Sequence, residues 1–147
     1  EYYSHKTYDS LFSPEVRSKA LRYETNYLQS AILFNNNGTF ELLALPLEAQ
    51  VSPVFGIVAD DLDEDGKIDI WLGGNFYALK PQVGRLNASK GVFLKGNGGK
   101  SFAYLSPRQS GIHVEGEVRD AGVLKVKGSK HLVVARNNAK VVVFKKK

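Results

Sequence analysis

The chain contains no cysteine, no methionine and no long apolar run. The absence of cysteine excludes disulfide bonds, thiolate metal ligands and cysteine nucleophiles, and it leaves the redox compartment open. The absence of an uninterrupted apolar stretch of about 18 residues excludes a membrane-spanning helix. Because the chain opens at Glu1 rather than at a methionine, we expect a processed chain or a fragment from which any signal peptide has gone.

The overall composition is that of an ordinary folded protein, but its charge is uneven. The 147 residues are 43% hydrophobic and 24% charged, which favours one compact domain or a piece of one. The formal net charge is +5, and residues 101–147 alone carry ten basic and three acidic groups, so the rest of the chain is slightly acidic. Nucleic-acid binding through this basic third is therefore one alternative function. The stretch has no aromatic residues at stacking spacing and no nucleic-acid motif, so a solvated surface with a Lys145–Lys147 tail is favoured.

One helix is predicted near the N-terminus, over residues 14–29, and strands are predicted after it. Ser13 suits the N-cap, Pro14 suits the first helical position, and Glu15 suits the positive end of the helix dipole. An apolar face then follows at spacings of three and four residues, namely Val16, Ala20, Tyr23 and Tyr27. Short apolar runs separated by Gly, Asn, Asp and Pro indicate strands at Ala31–Phe34, Phe40–Leu45, Val54–Ala59, Ile68–Leu72, Gly91–Leu94, Leu132–Ala135 and Val141–Phe144. The predicted fold class is mainly β with one N-terminal helix.

The sequence also contains a weak internal repeat of 62 residues. A shift of this length places Asn35 on Asn97, Phe40 on Phe102, Ala59 on Ala121, Gly66 on Gly128, and Ile70–Leu72 on Leu132–Val134. A repeat of this length, built of short strands, predicts about two β-propeller-type blades. The predicted division is a helical lead-in over residues 1–30, a first repeat over 31–92 and a second over 93–147. Because a closed propeller typically needs about four to eight blades, we expect the chain to be a fragment of a larger propeller.

Residues 61–69 form the strongest chemical motif, which reads D-x-D-x-D-G-x-x-D. Calcium takes about six to eight oxygen ligands, and carboxylates at every second residue of a tight loop converge on one point. A glycine at the sixth position permits the turn, and a backbone carbonyl at the seventh position adds an oxygen. The predicted calcium ligands are therefore Asp61, Asp63, Asp65, the carbonyl of Lys67, and Asp69.

The alternatives to this calcium site are weaker. An EF-hand would need a glutamate where Leu72 stands, and the flanking segments have the composition of strands rather than helices. Magnesium fits less well because it gives up its waters reluctantly. In the second repeat the 62-shifted positions are Val123, Lys125, Lys127 and His131, which cannot form such a site. One calcium ion per chain is expected.

These motifs also resemble a known family. Phe55-Gly56, the loop 61–69 and Trp71-Leu72-Gly73-Gly74-Asn75 are similar to the FG-GAP/VCBS repeat of β-propeller proteins. The wider pattern, which includes residues 84–89, 118–120 and 135–138, resembles the C-terminal part of VCBS-repeat proteins of the ASPIC/UnbV-associated kind, common in secreted or envelope proteins of Bacteroidetes. The resemblance implies a calcium-stabilised, extracytoplasmic propeller without catalytic activity at these positions.

The long segment after residue 74 is the predicted ligand-binding loop, because long loops on a rigid β scaffold often bind ligands. Its candidate residues for binding a protein or glycan are Asn75, Phe76, Tyr77, Arg85 and Asn87. In the alternative interpretation, Arg85 and Asn87 only fix the loop itself. The histidines fit no nucleophile–base pattern. We therefore expect no enzyme here, although a non-catalytic fragment of a larger enzyme remains an alternative.

Two blades leave open sheet edges, and an open edge presents unpaired backbone groups to another chain. Either the remaining blades of a larger protein cover these edges, or copies of the chain associate through them, and we expect such a homo-oligomer.

Overall fold

A computed structural model describes residues 4–145 of the protein, and it is mainly β. Glu1 and the last two lysines of the predicted tail lie outside this range. The strands are β1 (Ala31–Asn36), β2 (Thr39–Ala44), β3 (Val54–Asp60), β4 (Asp69–Gly74), β5 (Val92–Gly96), β6 (Phe102–Leu105), β7 (Val118–Val126), β8 (Ser129–Arg136) and β9 (Val142–Lys145). The helices are α1 (Tyr8–Leu11), α2 (Pro14–Lys19) and α3 (Pro107–Ser110), with a 3-10 turn at Leu47–Ala49. Six of the seven predicted strand segments coincide with observed strands to within two residues, and the seventh, Leu132–Ala135, lies inside β8, which begins three residues earlier.

The predicted helix over residues 14–29 is wrong in its length. It begins as expected, because Pro14 is the first residue of α2 and the Ser13 hydroxyl accepts the Val16 N–H at 3.4 Å. It ends at Lys19, and the backbone at Ala20 is already extended. The predicted apolar face is solvent-exposed, with Tyr23 at 89%. A short helix gains most of its stability from packing against other elements. Tyr23 and Tyr27 remain exposed, so the residues after Lys19 gain no such stabilisation and the helix does not continue.

The strands form three antiparallel sheets. The first sheet pairs β1 with β2, the middle sheet has the order β3-β4-β5-β6, and the last sheet has the order β7-β8-β9. The sheets do not follow the boundaries of the predicted sequence repeats, since the middle sheet takes β3 and β4 from residues 31–92 and β6 from residues 93–147.

The middle sheet packs on both faces, and its strand β4 is buried throughout. On one face, Ile70 and Leu72 pack in a cluster that includes Ile32 of the first sheet. On the other face, Trp71 packs in a cluster that includes Leu132 and Val134 of the last sheet. Because neighbouring residues of a strand point to opposite faces, this alternation stacks the three sheets in chain order.

The β3–β4 and β7–β8 hairpins correspond to each other, but not by a uniform shift of 62. Strand β4 maps on β8 with that shift, so the pair Ile57–Leu72 corresponds to the pair Ala121–Val134. The other strand of each pair is then offset by 64 residues. The β-bulges agree with this offset, because β3 is irregular between Val54 and Gly56 and β7 between Val118 and Asp120. The alignment of Ala59 with Ala121 is therefore wrong by two residues, and the first hairpin holds the two extra residues in its acidic loop.

In the second hairpin, pairing continues to Val126 and Ser129, and the turn closes through Lys127 and Gly128 at positive φ. The turn therefore persists without the acidic residues, as the sequence predicts.

Candidate functional site

The acidic loop between β3 and β4 brings three carboxylates together. Oxygens of Asp61, Asp63 and Asp65 lie within 4.8 Å of one another, and these three are the one such acidic or histidine group found among residues 4–145. The two carboxylate oxygens of Asp61 accept the N–H groups of Asp65 and Gly66, each at 3.0 Å. Asp65 in turn accepts the N–H of Lys67 at 3.0 Å. The loop folds around its own carboxylates, and Gly66 turns the chain at a φ of +85°.

Asp69, the fourth predicted carboxylate ligand, is not a member of this group. It is completely buried at the start of β4. One of its oxygens accepts the Gly96 N–H at 2.9 Å, and the other accepts the N–H groups of Leu62 and Asp63 at 3.1 and 3.3 Å. Burial raises the pKa of Asp69 despite these bonds. Asp69 thus holds the base of the loop against β5.

A lysine ammonium lies beside the carboxylate group. Lys95 of β5 donates to Asp65 at 2.8 Å and also forms an ion pair with Asp63. Its hydrogen bonds to Asp63 and then Asp65 raise the pKa of Lys95, and the bond from Lys95 lowers the pKa of Asp65. The loop therefore already attracts a cation from its own chain. Sequence spacing within the loop gave no signal for this contact, because Lys95 belongs to another strand.

The donor set fits a hard cation. Three carboxylates converge within a few ångströms, and oxygen ligands of this kind suit calcium. The ammonium of Lys95 already supplies one positive charge beside two of these carboxylates, those of Asp63 and Asp65. The residues that would hold an ion are Asp61, Asp63 and Asp65, and the Lys67 carbonyl remains a predicted additional ligand.

A second lysine joins the loop to the last sheet. Lys130 of β8 donates to the Asp60 carboxylate and to the Asp61 backbone carbonyl, both at 2.7 Å. The hydrogen bond from Lys130 lowers the pKa of Asp60, and the pKa of Lys130 is raised by the same bond. Lys130 therefore joins the start of the loop to the last sheet.

The residues of the predicted ligand-binding segment have two different roles. Asn75 is structural, whereas Phe76, Tyr77 and Arg85 form part of a surface. Asn75 is buried at a φ of +82°, and its side chain donates to the carbonyls of Ser89 and Gly116 at 2.8 and 2.9 Å. Its side-chain oxygen accepts the Ser89 N–H at 3.0 Å. Asn75 therefore holds the loop in place, whereas Asn87 is exposed.

Two arginines lie over aromatic rings here, and one of them, Arg119, was not among the predicted ligand-binding residues. The Arg85 guanidinium lies 5.0 Å from the centre of the Tyr77 ring. The Arg119 guanidinium lies 5.2 Å from the Phe55 ring and 5.8 Å from the Phe76 ring. Phe55 and Arg119 occupy the two β-bulges, and a bulge re-aims its side chain. No pattern in the sequence marks this contact, because the bulges that place Phe55 and Arg119 are visible only in the strand register.

We call the surface formed by Phe55, Phe76, Tyr77, Arg85 and Arg119 the aromatic–guanidinium surface. Glu117 holds two of its residues, Tyr77 and Arg119, in place. Its buried carboxylate accepts the Tyr77 N–H at 2.7 Å, the Asn137 amide at 2.8 Å and the Arg119 guanidinium at 3.0 Å. The Asn137 bond and then the Tyr77 bond lower the pKa of Glu117. The carboxylate therefore stays ionised and positions both Tyr77 and Arg119.

No family model matches the chain, and no match was found among curated proteins or solved structures. The resemblance to FG-GAP/VCBS repeats therefore stays a prediction. Within residues 4–145, none of the helices has the length and apolar character needed to cross a membrane.

Proposed function

We propose that the chain is a calcium-stabilised binding or structural module made of β-propeller-type blades, and that it belongs to an extracytoplasmic protein. The observation that carries the proposal is the group formed by Asp61, Asp63 and Asp65 at the end of the β3–β4 hairpin. The motif resemblance supports the blade architecture and the location. The correspondence of the β3–β4 and β7–β8 hairpins also supports the blade architecture.

A bound calcium ion would supply the positive charge that three adjacent carboxylates need. The loop begins and ends in neighbouring strands and is joined through Lys130 to the last sheet. Fixing the loop would therefore stabilise both the hairpin and the contact between two sheets. The role we propose is structural, and we assign these carboxylates no catalytic step.

Recognition of a protein or glycan is proposed for the aromatic–guanidinium surface around Tyr77 and Arg119. Phe55 is exposed, while Phe76 and Tyr77 are half-buried, and such rings can stack on apolar surfaces beside guanidinium groups that donate several hydrogen bonds. The nucleic-acid alternative is less well supported, because several basic groups of the C-terminal third are engaged within the chain. Lys130 pairs with Asp60, Arg119 pairs with Glu117, and Arg136 donates to the carbonyls of Glu115 and Lys140.

Calcium is expected to raise the melting temperature of the chain by about 5–10 °C relative to EDTA. A ligand at a hundredfold excess over its dissociation constant adds about 2.7 kcal/mol to the free energy of unfolding. In a domain of this size, each kcal/mol shifts the melting temperature by about 2–4 °C. Differential scanning calorimetry in millimolar calcium and in EDTA measures the shift, and titration calorimetry measures binding.

The matched control is the double variant Asp61→Asn/Asp65→Asn, which keeps the size of the side chains but removes two charges. Its melting temperature is expected to be the same in calcium and in EDTA. A wild-type chain that melts at one temperature in both buffers, without heat of calcium binding, would contradict the proposed function.

Replacing Lys95 with methionine is expected to tighten calcium binding by about twofold to fivefold. The ammonium of Lys95 neutralises Asp63 and Asp65, so an incoming ion must displace it. An ion pair of this exposure is worth up to about 1 kcal/mol, and a tenfold change in affinity corresponds to about 1.4 kcal/mol. Lys100→Met is the control, because Lys100 pairs with Glu41 instead. Equal calcium affinities for Lys95→Met and wild type, measured by titration calorimetry, would show that Lys95 does not compete.

A further inference from the structure

The charged groups that the aromatic–guanidinium surface presents to solvent are guanidiniums. The Arg119 side chain is 37% exposed, whereas the side chain of its partner Glu117 is only 7% exposed. Both oxygens of Glu117 are already engaged within the chain. One accepts the Tyr77 N–H and the Arg119 guanidinium, and the other accepts the Asn137 amide. A ligand that approaches this surface therefore meets positive charge.

Both guanidinium groups keep hydrogen-bond donors for a ligand. Arg85 is exposed, and its side chain forms no hydrogen bond or ion pair with another of residues 4–145. Only one nitrogen of Arg119, Nη2, donates to Glu117. A guanidinium carries five N–H donors in a planar fork, which matches the two oxygens of a carboxylate.

The two arginines lie close to one another. Their guanidinium groups lie over the rings of the adjacent residues Phe76 and Tyr77. The hydrogen bonds from Asn137 and Tyr77, and after them the charges of Arg119 and Arg85, lower the pKa of Glu117. Both arginines therefore act on the same buried carboxylate, and together they exceed its charge by one.

The acidic residues nearest to Glu117 and Arg119 in the sequence are engaged in other contacts. Glu115 pairs with Lys90 at 3.1 Å. Asp120 accepts the Ala121 N–H at 2.8 Å. The excess positive charge of the two arginines is therefore left for an anionic ligand.

The backbone beneath the surface favours recognition by side chains over pairing with a peptide strand. Strands β3 and β7 are each at the edge of a sheet, and Phe55 and Arg119 lie at their β-bulges. A bulge at a sheet edge opposes the addition of another strand. Although the Arg119 guanidinium lies over its ring, Phe55 remains 44% exposed, so an apolar ring face is available beside the charge.

A polynucleotide fits this surface less well. It carries a phosphate at every nucleotide and is bound through an extended series of cations. The next basic group, Arg136, is the cross-strand partner of Val118, but it donates to the carbonyls of Glu115 and Lys140. The surface therefore suits a ligand with a single anionic group beside an apolar one.

We propose that the aromatic–guanidinium surface binds an acidic glycan, whose pyranose rings each bear a carboxylate. The apolar C–H face of such a sugar packs on the Phe55 ring, and its carboxylate accepts N–H groups of Arg85 and Arg119. This inference rests on the recognition role proposed above and specifies the class of its ligand.

An oligogalacturonate and its methyl ester test the inference, because esterification removes the charge and keeps the sugar ring. Titration calorimetry in calcium-free buffer, below the melting temperature, should show binding of the acid form at least about tenfold tighter than binding of the ester. Arg85→Gln should weaken binding of the acid form about tenfold and leave the ester unchanged. Phe55→Ala should weaken binding of both forms by the same factor. Melting curves establish that each variant is folded.

Arg108→Gln is the matched control, because it removes the same charge from an exposed arginine on α3, outside the surface, and should bind as wild type. Equal affinities for acid and ester, both weakened by Phe55→Ala, would overturn the acidic-glycan inference and leave the proposed recognition surface in place. Binding that neither Arg85→Gln nor Phe55→Ala weakens would overturn both. Absence of binding to either form, or tighter binding of polyglutamate or of a single-stranded oligonucleotide, would also overturn the inference.

Discussion

Replacing Asp69 with alanine is expected to lower the free energy of unfolding by about 3–5 kcal/mol, in calcium and in EDTA alike. The Asp69 carboxylate is completely buried and accepts three backbone N–H groups, from Leu62, Asp63 and Gly96. Each buried donor left without a partner costs about 1–3 kcal/mol. The variant also separates β4 from β5 at the base of the loop. Urea unfolding followed by circular dichroism measures the loss.

The buffer comparison separates the two roles that Asp69 could have. If Asp69 acts mainly as a calcium ligand, as the loop spacing predicts, the alanine variant should lose stability only in calcium. If it holds the backbone, the loss persists in EDTA. Asp69→Asn keeps one acceptor oxygen and removes the buried charge, so it should lose less than the alanine variant. Asp120→Ala is a control at an exposed aspartate that accepts one backbone N–H, from Ala121, so it should lose only about 0.5–1.5 kcal/mol.

The acidic loop shows how far sequence spacing predicts a site. Alternating aspartates before a glycine bring Asp61, Asp63 and Asp65 together, because this contact depends only on the local path of the chain. The orientation of Asp69 depends on the Gly96 N–H, which another strand supplies. The contact with Lys95 likewise depends on how β5 pairs in the sheet. Local spacing therefore predicts the cluster but not its partners from other strands.

The same distinction applies to the fold. The strand segments were predictable because alternating apolar residues and turn residues are local signals. The length of α2 was not, since the apolar face through Tyr23 would need a packing partner that the sequence does not identify. The uniform 62-residue shift failed at β3 because two extra residues in the acidic loop move one strand and not the other. Only the strand register shows where such an insertion lies.

Replacing Trp71 with alanine is expected to destabilise the protein by about 3–5 kcal/mol, the usual cost of removing a large buried aromatic side chain. Trp71 is completely buried and packs with Val58, Phe93 and Leu132, so it joins the middle sheet to the last sheet. Two glycines make room for its ring. A Cβ at Gly73 would overlap the ring, and a Cβ at Gly91 would lie 3.2 Å from it.

Trp71→Phe distinguishes lost packing from lost hydrogen bonding. The buried indole N–H has no hydrogen-bond partner among the described residues, so phenylalanine removes a polar group as well as volume. We expect this variant to lose about 1–2 kcal/mol, well below the alanine variant. Tyr23→Ala, at an 89% exposed aromatic residue, should stay within about 0.5 kcal/mol of wild type. Far-ultraviolet circular dichroism during urea unfolding measures the free energy of unfolding of all three variants, and its signal does not depend on the single tryptophan. An alanine variant as stable as Tyr23→Ala would show that the middle and last sheets are not held together through this side chain.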